Sequence, residues 1–108
     1  MITTRNTKKS LTFRRERVFR ILKAHLPELR ERYGVRGVSL FGSFLRGERH
    51  QGSDLDVLVE FDRVPSLFEF IRLERHLSGL LKMKVDLVMK SALKPAIGRR
   101  ILEEAQPV

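Results

Sequence analysis

Hydrophobic positions along the 108-residue chain follow two rhythms in turn. From about Leu11, apolar residues recur at helical spacing: Val18, Ile21, Leu22, Leu26 and Leu29. That stripe predicts an amphipathic helix. Pro27 lies inside it, and a proline removes a backbone donor and crowds the preceding turn. A break near His25–Pro27 is therefore expected, with a second short helix to about Tyr33 and a stop at Gly34. "VRGVSLF" (35–41) and "LDVLVEF" (55–61) then read as strands, rich in Val, Leu and Phe. "SFLRG" between them has room for only a short helical turn. Ser66, with Glu69 three residues on, has the form of a reciprocal helix cap. The stripe Leu67, Phe70, Leu73, Leu77 and Leu80 follows it at helical period. "KVDLVM" reads as a third strand. "SALKPAIGRRILEEA" reads as a last helix, with Pro95 tolerable in its first turn. Helices alternating with short strands predict an α/β or α+β domain with one small sheet. Residues 1–10 lack apolar periodicity and read as a basic, flexible arm preceding a single domain over 11–108.

Composition narrows the class. A hydrophobic content of 42% is ordinary for a folded domain and argues against global disorder. There is no cysteine, so disulfides and thiolate metal sites are excluded, which fits a reducing cytoplasm. No apolar run approaches the roughly 18 residues of a membrane span. Charge is uneven. Residues 1–20 carry seven Lys/Arg against one acid, while the remaining 88 residues carry fifteen against twelve. A basic leading segment can attract nucleic acid or an acidic protein surface, or can simply be solvated.

The stretch "FGSFLRGERHQGSDLDVLVEF" (41–61) carries the chemistry. Residues two apart on a strand share a face, so Asp54 and Asp56 point the same way, with Leu55, Val57 and Val59 opposite. Two like charges so close destabilise each other unless something positive lies between them. A hard divalent cation such as Mg2+, which takes carboxylate oxygens, suits that place. Asp86 is a single acid in an apolar strand. If that strand lies beside the second, it completes a three-carboxylate cluster. Gly42 permits close backbone approach, Ser43 adds a hydroxyl, and exposed amides there favour an anion. An amide cradle beside a metal-binding acid cluster suits a nucleoside triphosphate, with two metals assisting an in-line displacement of pyrophosphate.

"FGSFLRG", "SDLDVLVEF" and "VDLV", taken in order, resemble the minimal nucleotidyltransferases, the MntA-like members of the polymerase-β superfamily. Ten residues separate Ser43 from Asp54, within that family's usual range. The resemblance runs from about Leu22 to the C-terminus. It implies a nucleotidyltransferase fold, a small mixed β-sheet flanked by helices. It also implies that Gly42 and Ser43 bind the triphosphate of ATP and that Asp54 and Asp56 hold metal. Asp86 would be a third ligand or the base to the acceptor hydroxyl. Arg46 matches the family's Arg-Gly position and would reach a phosphate, the alternative being a solvated loop arginine; Ser53 reads as a cap or turn residue that orients Asp54 beside the nucleotide. Short members of the family are often paired with a helical HEPN toxin, an RNase, which they silence by transferring AMP to a tyrosine. The chain has no room for an acceptor-binding domain, so a separate protein would supply the acceptor.

Two other functions stay open: an inactive antitoxin that masks its toxin by binding, and a basic nucleic-acid-binding module. Arg20 and His25 match the Arg-x4-His spacing of HEPN RNases, but among 22 basic residues such a match arises by chance. They read as helix-surface residues. His50 and His76 are expected at the surface, and Phe41, Phe44, Phe61, Phe68 and Phe70 in the core or at its rim.

Overall fold

The computed structural model describes residues 3–47 and 54–108, with side chains from Arg14 onward. Helix α1 (Thr3–Tyr33) leads into strand β1 (Val35–Phe41) through Gly34, whose φ of +68° ends the helix. Its amide still donates to the Arg30 carbonyl at 3.0 Å. Strand β2 (Leu55–Phe61) precedes helix α2 (Leu67–Leu81) and strand β3 (Val85–Met89). A 3-10 turn (Lys90–Ala92), helix α3 (Pro95–Glu104) and a two-residue strand β4 (Gln106–Pro107) complete the chain. The strands form one sheet in the order β3-β2-β1-β4. The β1–β2 and β1–β4 pairs are antiparallel and β2–β3 is parallel, with α2 as its crossover.

One face of the sheet makes the core. Leu40, Val57 and Leu87 meet Leu22 and Leu29 of α1 and Leu73, Leu77 and Leu81 of α2 in a single buried cluster. Full burial of each such leucine contributes about 1.5–3 kcal/mol. Both ends of α2 are closed. Ser66 Oγ accepts from the Glu69 amide at 3.2 Å, and the Glu69 carboxylate accepts from the Ser66 amide at 3.2 Å. At the other end Lys82 takes a left-handed conformation, φ 54°.

Five expectations change. Phe68, expected in the core or at its rim, is exposed on α2. The helix runs on through Pro27 without a break. Leu22 and Leu29, buried on either side of it, pin both halves to the core, and the carbonyl that Pro27 cannot satisfy belongs to exposed Lys23. Residues 1–10 read as an arm, but α1 already begins at Thr3, since no Gly or Pro interrupts positions 3–26. The last helix starts at Pro95 and not near Ser91. A proline holds its predecessor extended, and Lys94 accordingly sits at φ −76°, ψ 147°. His76, expected at the surface, is half-buried between α1 and α2, its ring 5.7 Å from that of Tyr33. Strand β4 is new: two residues carry no readable period. It places Val108 so that its amide donates to the Val38 carbonyl at 2.9 Å.

Candidate active site

The start of β2 is tied to the start of β3 by the Leu55 amide, which donates to the Lys84 carbonyl at 2.9 Å. That bond sets the parallel register, which pairs Asp56 with Asp86. On β2's other side Asp56 pairs with Phe41. Paired residues share a face, and neighbouring strands lie about 4.8 Å apart. Asp56 and Asp86 therefore stand side by side on the face opposite Leu55, Val57 and Val59, all of which are buried. Asp54, just before the strand, lies 3.9 Å from the Lys84 ammonium.

Electrostatics marks the same cluster. Burial pushes the Asp56 carboxyl above its ordinary pKa, and the charges of Asp86, Asp54 and Glu104 push it the same way. Arg46 opposes them. Three of these acids are the ones expected from sequence; they are brought together across two strands.

Gly42 follows β1 at φ +84°, a conformation that favours glycine. A Cβ there would collide with the Asp56 carboxylate, so the backbone lies directly on the acid cluster. Residues 43–47 make the short turn anticipated from "SFLRG". The Arg46 amide donates to the Gly42 carbonyl at 3.2 Å and the Gly47 amide to the Phe44 carbonyl at 3.1 Å. Leu45 is buried and anchors the turn, and the Arg15 guanidinium donates to its carbonyl at 2.8 Å. Ser43 is half-buried in this turn. Ser53 and His50 lie outside the described residues.

Glu104 is a site residue that the sequence reading missed. From the last turn of α3, its Oε1 accepts from the Gly42 amide and from the Arg46 guanidinium, each at 2.6 Å. One signal was available. A helix C-terminus favours cations, yet α3 ends in Glu103-Glu104 with no basic residue in its last turn.

Hard carboxylate oxygens with a Gly-lined backbone alongside are the donor set for a hard divalent cation, and the mutual repulsion around Asp56 is what such an ion would relieve. Among the described residues, no three Asp, Glu or His side chains are already closed around one point. The acids are an open array across the starts of β2 and β3. The residues fit the ion in chemistry, with the final approach left to side-chain movement.

A nucleotidyltransferase domain family matches residues 22–108. The chain is 53% identical over 89 residues to the protein adenylyltransferase MntA of Thermococcus cleftensis, covering 82% of this chain and 90% of that protein. A solved minimal nucleotidyltransferase superposes with a TM-score of 0.70 at 38% identity, covering 91% of this chain and 95% of that one. A toxin–antitoxin structure with AMP-PNP superposes at a TM-score of 0.63 and 21% identity, over 85% and 69% of the two chains. A structure of a tri-AMPylated Shewanella oneidensis HEPN toxin in complex with its MNT antitoxin gives 0.57 and 16%, over 90% and 70%. These last two show the shared fold. With a family match over most of its length and a half-identical relative of nearly the same span, the chain belongs to the nucleotidyltransferase domain family, on its minimal, MntA-like branch.

Proposed function

We propose that this nucleotidyltransferase moves AMP from ATP to a hydroxyl on a separate protein, a tyrosine of a HEPN-type toxin, and so acts as an antitoxin. The observation that carries the reading is the pairing of Asp56 with Asp86 across β2 and β3, with Gly42 laid against Asp56, in a chain 53% identical to a protein adenylyltransferase. The presence of toxin–antitoxin complexes among its structural relatives supports the partner class.

Asp54 and Asp56 would hold magnesium, with Asp86 beside them. Bound there, the ion would neutralise phosphate charge and lower the barrier to pyrophosphate departure. The remaining work falls to the chain. The backbone at Gly42–Ser43 and the Arg46 guanidinium bind the phosphates. The acceptor oxygen attacks the α-phosphorus as the bond to the bridging oxygen breaks, and pyrophosphate leaves with the electron pair. Asp86, exposed on β3, takes the hydroxyl proton. Docking must bring the acceptor over the Gly42–Asp56 region in line with that bond. Among the described residues no helix is long and apolar enough to cross a membrane. A nucleic-acid role would rest on the charge of the first twenty residues alone.

The test is the intact mass of the partner after incubation with the protein and Mg-ATP. Gain of one or more AMP units, lost on chelation and on Asp86→Asn, is expected. Tight stoichiometric binding with no mass gain from any of the four nucleotides would replace the reading with that of a masking module.

A further inference from the structure

Glu104 holds a place that its own helix does not favour. The partial negative charge at the C-terminus of α3 repels it. So does Asp56, whose carboxyl the charge of Glu104 helps to push up. What offsets this is one carboxylate oxygen taking two donors, the Gly42 amide and the Arg46 guanidinium, both at 2.6 Å. A backbone amide and a guanidinium converging on one oxygen form an anion subsite. These are the donors that the proposed function gives to the triphosphate.

We infer that Glu104 is an internal stand-in for a phosphate: it occupies the anion subsite of the nucleotide site and must swing out when a triphosphate binds. The inference rests on the nucleotide site proposed above. Three observations support exchange over a permanent strut. The Glu104 side chain is about one-third exposed, so it has solvent to move into. Gly98 is the only buried residue of α3, so few packing contacts hold the helix end. Strand β4, which follows immediately, is short: it pairs with β1 through two residues, and the Val108 amide adds one bond to the Val38 carbonyl. A triphosphate also could not share the subsite with a carboxylate without adding like charge beside three acids. Glu104 thus sets nucleotide affinity. It keeps the loop formed and the donors satisfied until a ligand of higher charge competes for them.

The experiment is calorimetric titration with a non-transferable ATP analogue, α,β-methylene-ATP, in the presence of Mg2+. The chains compared are the parent, Glu104→Gln, Glu104→Ala and, as a charge control, Glu103→Gln. Thermal melts establish that each is folded. Both Glu104 variants are expected to bind roughly tenfold tighter, the net worth of about one charged hydrogen bond no longer displaced. Glu103→Gln, which removes the neighbouring charge without touching the subsite, is expected to match the parent. Affinity unchanged or weakened in both Glu104 variants would overturn the inference and make Glu104 a fixed strut for Arg46. Equal tightening by Glu103→Gln would overturn it too, by showing a general charge effect. If the parent and every variant fail to bind the analogue, the nucleotide-site reading itself falls and the inference with it.

Discussion

The two faces of the central sheet are built from alternate residues of the same strands, yet they obey opposite rules. One face, with Leu40, Val57 and Leu87, is sealed beneath α1 and α2, and among the described residues the side chains buried there are hydrophobic. The other presents Asp56 and Asp86 side by side, with Gly42 laid against them. Moving one residue along β2, from Asp56 to Val57, crosses from repulsion among acids to dry packing. The first face is where the chain acquires its stability. The second is where it gives some up, because a carboxylate held among carboxylates is poorly placed until a cation or ligand arrives.

The comparison can be broken hardest at the charged face. Changing Asp54 and Asp56 together to Asn should lower nucleotide transfer by about a thousandfold or more. A bound metal supplies several kcal/mol of charge stabilisation, and each 1.36 kcal/mol is tenfold in rate. The fold should persist, so mass spectrometry of the partner and a thermal melt of the variant should disagree. Transfer at the parent rate would mean that these acids are not the metal site.

On the dry face the pattern should invert. Leu40→Ala removes a fully buried side chain and should cost about 2–5 kcal/mol in urea unfolding. Transfer by the fraction that stays folded should remain close to the parent's. A much smaller loss would show that the cluster collapses around the deletion.

A third, milder change tests whether stability lies with the covering helix. Ser66→Ala breaks the reciprocal cap of α2 and should cost about 1 kcal/mol by the same unfolding measurement.

The smallest effect sharpens the contrast through pH. Asp56 binds its proton more readily in the folded chain than in the unfolded one. Its ionisation therefore opposes folding. The cost is absent below the ordinary carboxylate pKa of 3.8, grows as pH rises toward the raised value, and is complete above it. With metal chelated, Asp56→Asn should melt slightly above the parent at pH 7, and the difference should vanish in acid. Mg2+ should raise the melting temperature of the parent more than that of the variant.

Much of this was legible because strong local signals agreed with the tertiary outcome. The strands 35–41 and 55–61, the Ser66–Glu69 cap and the acids Asp54, Asp56 and Asp86 all have local or period-two signatures. What escaped had non-local causes. Helix α1 survives Pro27 because residues far along the chain clamp it. Strand β4 exists because an edge of β1 was available. Glu104 meets Gly42 only after α3 folds back across the sheet, and no spacing in the sequence encodes that approach beyond two acids at a helix end that disfavours them.

The parallel pairing of β2 with β3 also has a consequence for folding kinetics. Asp56 and Asp86 are thirty residues apart and become neighbours only when the crossover through α2 is closed. Such contacts are late and slow compared with helix or hairpin formation, because the loop entropy must be met before the pairing rewards it. The charge cluster therefore cannot assemble in early collapsed states, and a divalent ion finds little there to grip. Its binding should slow unfolding while leaving the refolding rate nearly unchanged, so the ion would act on the lifetime of the finished enzyme and not on the path that makes it.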